Sequence, residues 1–106
     1  MSDFSSKPLF HINIFTPKTG QLEEFIASQT RFAERLGTIS TLTETRFFRA
    51  EDGSSGILMG RWESAEAFRD FQSSAAFQEE RARLAPLLES TRPGFYRLIR
   101  ERRAVQ

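Results

Sequence analysis

The chain has 106 residues, enough for one domain, and its 39 % hydrophobic content with eleven Phe supports a buried core rather than disorder. Fifteen Lys and Arg against fourteen Asp and Glu leave a formal charge of +1, and the thirteen Arg are dispersed, so no global field steers the chain to nucleic acid or membrane. Cys is absent, which excludes disulfides, thiolate metal sites and a Cys nucleophile; no apolar run approaches a membrane span, and residues 1–7 are polar with no signal core. The expectation is a soluble cytoplasmic protein with no nucleic-acid and no membrane partner.

In chain order, residues 1–7 form a loose tail. Residues 9–15 make the first strand, with Phe10, Ile12 and Ile14 on one face and Leu9, His11, Asn13 and Phe15 on the other. Thr16 to Gly20 is a turn, and Gly20 serves as N-cap of a helix reaching about Leu36. Its inner stripe is Leu22, Phe25, Ile26, Phe32, Ala33 and Leu36, interrupted by Gln29; Gly37 ends it as a left-handed cap. A second strand lies within residues 39–49, and Asp52-Gly53 turns it tightly into a third, residues 57–62. Ser64 caps a short helix carrying Ala67, Phe68 and Phe71, with Glu66 in its positive first turn. Ser73-Ser74 breaks the pattern, and a second helical stretch from Ala75 carries Phe77, Leu84 and Leu88, with Arg81 between them. Pro86 marks where regular helix falters, Arg92-Pro93-Gly94 reads as a turn, and residues 95–102 form the last strand before a tail at 104–106.

Strand, helix, strand, strand, helix, strand is the ferredoxin-like βαββαβ order, a four-stranded antiparallel sheet with its helices on one face; the domain spans the whole chain, with a core at about residues 9–102. The first strand is apolar on both faces, which requires cover on both. The helices cover one, and a second copy of the sheet is the expected cover for the other, giving a homodimer through sheet faces.

Chemistry-bearing motifs are few. The sequence holds no Gly-rich phosphate loop, dinucleotide fingerprint or nucleophile elbow, and a single His without Cys does not build a transition-metal site, so no metal is expected. The Arg-rich end, Arg97, Arg100, Arg102 and Arg103, reads as a solvated strand edge and tail. The candidates are polar residues at inward positions. His11 and Asn13 share a strand face, Gln29 interrupts one helical stripe and Arg81 another, and Trp62 closes the third strand. A buried Arg calls for an anionic partner, so Arg81 either holds a ligand, pairs with an internal Glu or runs to solvent. Trp62 and His11 also fit plain core and sheet packing. Asn13 does not, since a central strand disfavours Asn, and this points to a polar pocket.

The strand ending in Trp62, the short helix with Phe68 and Phe71, the Ser break and Phe77 resemble the antibiotic biosynthesis monooxygenase family, small dimeric α+β barrels, over about residues 9–102. Trp62 matches a Trp widely seen in the family at that strand end. The haem-degrading branch carries a strand-one Asn at a fixed distance before the Gly that opens the first helix, and Asn13 and Gly20 match it. That branch also needs a helical Trp and a His ligand, where this sequence has Phe71 and Arg81; Arg offers no imidazole lone pair, so the resemblance argues against haem degradation. The other branches oxidise anthrones and quinols or act on small metabolites. The resemblance thus implies a monooxygenase for a small aromatic or enolisable substrate that uses no cofactor. Asn13 and Arg81 would hold the substrate anion, His11 would take its proton, and Phe15, Gln29, Trp62, Phe68 and Phe71 would line the substrate pocket. The alternative is a dimer that binds a small aromatic or anionic ligand without turning it over.

Overall fold

In a computed structural model that describes residues 8–104, four strands pair antiparallel in the order β2-β3-β1-β4. They are β1 (Leu9–Pro17), β2 (Leu42–Arg49), β3 (Gly56–Trp62) and β4 (Leu88–Arg97). Helix α1 (Leu22–Leu36) links β1 to β2, and α2 (Ala65–Gln72) and α3 (Ala75–Leu84) link β3 to β4. This is the expected ferredoxin-like α+β fold. Strand β1 is central, with His11 opposite Gly60 on β3 and Phe95 on β4, and Asn13 opposite Leu58 and Pro93. The side-chain period of two then puts His11, Asn13 and Phe15 beneath the helices, and Phe10, Ile12 and Ile14 on the opposite face.

Local chemistry places the ends of α2 and α3. Ser64 Oγ accepts from the Ala67 amide at 3.0 Å and Ser74 Oγ from the Phe77 amide at 3.2 Å, so the Ser break seen in the sequence is the N-cap of a new helix. Between β2 and β3, Gly53 takes a positive φ of 76°, as the Asp52-Gly53 turn requires.

Four sequence expectations are corrected. Gln21, not Gly20, is the N-cap of α1; Gly20 sits at φ 82° in the preceding turn, which closes through the Gln21 amide to the Lys18 carbonyl. Gly37 is right-handed, at φ −59°, so α1 ends without a left-handed cap. Leu88 is not on the last helix: a 3-10 turn at Ala85–Leu87 ends the helical run, and Leu88 opens β4. Finally, Arg92-Pro93-Gly94 is strand rather than turn, and the last strand is Leu88–Arg97 instead of residues 95–102. Pro93 is accommodated because β4 is an edge strand, where a missing ladder donor costs little. The Tyr96 ring lies over Gly94, where a Cβ would come within 3.0 Å of it. The tail assigned to residues 1–7 lies outside the described residues, as do positions 105 and 106 of the C-terminal tail.

The core sits at one end of the sandwich. Phe15, Phe25 and Leu84 form its buried centre, with Leu22, Ile26, Phe47, Leu58, Leu87 and Leu88 packed around them. Phe25 is completely buried, with ring centroids 4.9 Å from Phe15 and 5.8 Å from Phe47. Truncating it leaves a void that rigid sheet backbone cannot fill. Phe25→Ala is expected to lower the unfolding free energy by about 3–5 kcal/mol in urea denaturation; a loss below about 1 kcal/mol would place the core elsewhere.

Candidate functional site

Beyond that core the helices stand off the sheet and enclose a cavity of about 450 Å³, within the range of small-molecule sites. Its floor is the inner face of the sheet: His11, Asn13 and Phe15 from β1, with Gly60 and Trp62 from β3. Its walls and roof are Gln29 and Phe32 from α1, Phe68 and Phe71 from α2, and Phe77, Glu80, Arg81 and Leu84 from α3. All eight residues singled out in the sequence, His11, Asn13, Phe15, Gln29, Trp62, Phe68, Phe71 and Arg81, line this one cavity.

The aromatic wall is a connected set of rings. Trp62 is buried and meets Phe68 edge-on at 5.4 Å and Phe71 at 5.2 Å; Phe71 continues to Phe77 at 5.3 Å. Gly60 makes room for the indole: a Cβ there would stand 3.0 Å from Trp62 Nε1 and 3.2 Å from Leu42 Cδ1. The indole N–H is therefore held against the floor by the absence of a side chain beneath it.

His11 lies among these rings. Its imidazole stacks on Phe68 at 4.2 Å and meets the edge of Phe95 at 5.2 Å, with no hydrogen bond to another described residue. Burial pushes its pKa below the usual 6.5, because the imidazolium would lose water without gaining a partner. The ring is accordingly neutral at pH 7 and has a free lone pair.

Asn13 is oriented by the edge strand. Its Oδ1 accepts the Arg92 amide at 3.1 Å, which turns the oxygen toward β4 and leaves the NH2 as the donor it can offer a ligand. A turn at Arg92 would have removed that amide; the extended course of β4 supplies it.

The charged residue buried in the roof is Glu80, not Arg81. Glu80 is 3 % exposed, its Oε2 accepting from Ser28 Oγ at 3.0 Å and Gln29 Nε2 at 3.3 Å, while Oε1 pairs with Arg83 Nη1 at 2.7 Å. Arg81 is exposed while lining the cavity, which corrects the expectation of a buried Arg at this position. The miss has a geometric cause. At 100° per residue, Glu80 and Arg81 lie about 50° to either side of the line through Phe77 and Leu84, so the apolar stripe of α3 does not choose between them. The choice was legible on α1 instead: Ser28 and Gln29 are adjacent donors on a buried stripe, and buried donors need an acceptor.

A protein-family model described as antibiotic biosynthesis monooxygenase matches residues 8–83. Solved structures of similar shape include SnoaB from Streptomyces nogalater, described as a cofactor-independent oxygenase, with a TM-score of 0.80 at 20 % identity over 90 % of this chain and 96 % of that one. PA3566 from Pseudomonas aeruginosa superposes with a TM-score of 0.80 at 14 % identity, over 91 % and 98 % of the two chains. Rv0793 from Mycobacterium tuberculosis does so with a TM-score of 0.80 at 18 % identity, over 89 % and 97 %. No curated protein matches the chain at a significant level. Among the described residues no helix is long and apolar enough to cross a membrane.

The buried imidazole has a measurable consequence. As pH falls through 6.5, the unfolded chain takes up a proton that the folded chain resists until lower pH, so this component of stability is present above 6.5 and lost below it. His11→Phe, which keeps a ring against Phe68, is expected to lose less unfolding free energy than the parent between about pH 7 and about pH 5 in urea titrations. Parallel losses in the two proteins would show the imidazole titrating as if it were exposed.

Proposed function

The chain belongs to the antibiotic biosynthesis monooxygenase family, and on that premise we propose that it is a cofactor-independent oxygenase acting on a small aromatic or enolisable substrate of the anthrone or quinol type. The observation that carries the reading is an aromatic-walled cavity whose floor holds a neutral imidazole beside an amide donor, His11 and Asn13. The similarity in shape to SnoaB, described as a cofactor-independent oxygenase, supports it.

Side chains do not reduce oxygen, so the electrons come from the substrate itself. His11 takes a proton from an acidic substrate C–H, and the Asn13 NH2, with Arg81 at the rim, stabilises the resulting enolate. The enolate gives one electron to O2, and the carbon radical and superoxide combine to form a C–O bond. The peroxide recovers the proton from His11. Loss of water from the resulting C(H)–OOH then leaves a carbonyl, so the substrate loses two hydrogens and gains one oxygen, and each turnover consumes one O2 and releases one water. Phe15, Gln29, Trp62, Phe68 and Phe71 shape the cavity around the rings and exclude bulk water from the carbanion.

The expected outcome with a panel of hydroquinones, anthrones and enolisable ketones is oxygen uptake equal to product formed, without added flavin, metal or haem. Asn13→Ala is expected to lower kcat/KM by about 100-fold, as for loss of one oxyanion donor. Saturable quenching of Trp62 fluorescence with no oxygen uptake across the panel would instead select the non-catalytic binding protein.

The same reading takes a homodimer as the working form. The face of the sheet away from the helices carries Phe10, Ile12 and Ile14, flanked in register by Ile57 and Met59 on β3, Phe48 on β2 and Tyr96 on β4. Phe48 is 48 % exposed and Tyr96 53 %. A second copy buries this apolar surface against its own equivalent, a self-complementary two-fold contact. Light scattering is expected to return the mass of a dimer, and Ile12→Glu, at the centre of the patch, the mass of a folded monomer. A monomeric parent protein would remove this part of the proposal.

A further inference from the structure

The mechanism above leaves Glu80 without a chemical part, although among the described residues it is the charged side chain that is fully buried, and it lines the cavity. A carboxylate has about four acceptor positions on its two oxygens. Three are filled here, by Ser28 and Gln29 on Oε2 and by Arg83 on Oε1, which leaves one position on Oε1. Both oxygens already have a partner, and because Glu80 lines the cavity a ligand donor can add to the open position on Oε1.

The character of a matching group follows from what is already in place. Arg83 neutralises the carboxylate, and Arg81 stands at the rim. An ammonium ligand would therefore add uncompensated charge to an apolar chamber, and a carboxylate ligand would meet Glu80 head-on. A neutral hydroxyl donates one hydrogen bond and adds no charge. On the opposite side of the chamber, the sheet floor presents the Asn13 NH2, a donor, because its oxygen is held by the Arg92 amide. The cavity thus has an accepting roof and a donating floor, separated by aromatic walls.

We infer that Glu80 is a specificity-determining residue that accepts a hydrogen bond from a substrate hydroxyl. The preferred ligand is a ring system with a carbonyl, ether or enolate oxygen on the sheet side and a free hydroxyl on the helix side, and its O-alkylated analogue is rejected. The inference rests on the reading that the cavity takes a small aromatic ligand, and not on oxygen chemistry.

The test is calorimetric titration under argon with 6-methoxy-2-naphthol and with its O-methyl ether, in which a methoxy group replaces the donor hydroxyl. The parent protein is expected to bind the naphthol at least about tenfold more tightly, the value of a hydrogen bond to a buried charged acceptor. In Glu80→Gln the new amide oxygen stays with Ser28 and Gln29, so its NH2 faces the cavity and the preference is expected to vanish or reverse. Arg83→Gln keeps the acceptor and is expected to keep the preference. The inference is overturned if the parent binds both compounds equally, if the preference survives Glu80→Gln, or if Arg83→Gln loses it as fully as Glu80→Gln. Should Glu80→Gln fail to fold, the parent and Arg83→Gln decide: preference in both supports the assignment, and its absence in either overturns it. Hydroxyl preference without oxygen uptake from any substrate leaves this inference standing and removes the oxygenase; uptake without preference does the reverse.

Discussion

A cavity of about 450 Å³ lies under the helices, and the buried carboxylate of Glu80 is the polar constraint that ties α1 to α3 above it. Its Oε2 binds two consecutive residues of α1, Ser28 and Gln29, across the gap to α3, which fixes both the spacing and the rotation of the two helices. Such a clamp adds little net stability, because removing a charge from water offsets most of the attraction. It is costly to break, since each buried partner would then be left unmatched. A polar clamp keeps helices apart at a set distance, because hydrogen bonds have a required length and hydrophobic contacts do not.

The floor is set by a different device. Strand β1 carries apolar residues on both faces, and the residues that break its inner face, His11 and Asn13, are the ones that offer a ligand polar atoms. Each is tuned by a neighbour rather than by itself. The imidazole is kept neutral by the Phe68 and Phe95 rings that surround it. The Asn13 amide is turned by a backbone N–H of β4. Gly60 contributes by having no side chain, so that the Trp62 indole settles against the sheet. The chemistry of the floor therefore depends on the neighbours of its polar residues as much as on those residues themselves.

Much of this was legible in the sequence, for reasons that can be located. The alternation in residues 9–15 states which side chains share a face, and Gln29 stands out because it is polar on an otherwise apolar stripe. Ser64 and Ser74 announce helix starts by their own hydrogen-bonding chemistry. What failed depended on partners distant in sequence. Pro93-Gly94 carries the local signature of a turn, and only its place beside β1 at the sheet edge makes it strand. Glu80 and Arg81 are equivalent on their own helix and are separated only by what α1 presents to them. Gly37 shows the same limit on a smaller scale: glycine permits a left-handed cap without requiring one.

The position of β1 in the sheet also bears on how the protein is made. Leu9 pairs with Trp62 on one side and with Arg97 on the other, so β1, the first of the four strands in chain order, waits for the last of them before its second edge is filled. Pairings of such long sequence separation are slow to form, because the intervening loop must close before any contact rewards it. Until β4 arrives, a strand apolar on both faces presents an open hydrogen-bonding edge, the form of nascent chain most prone to pair with a neighbour. The arrangement that puts His11 and Asn13 at the centre of the finished molecule therefore makes their strand the one exposed longest during synthesis.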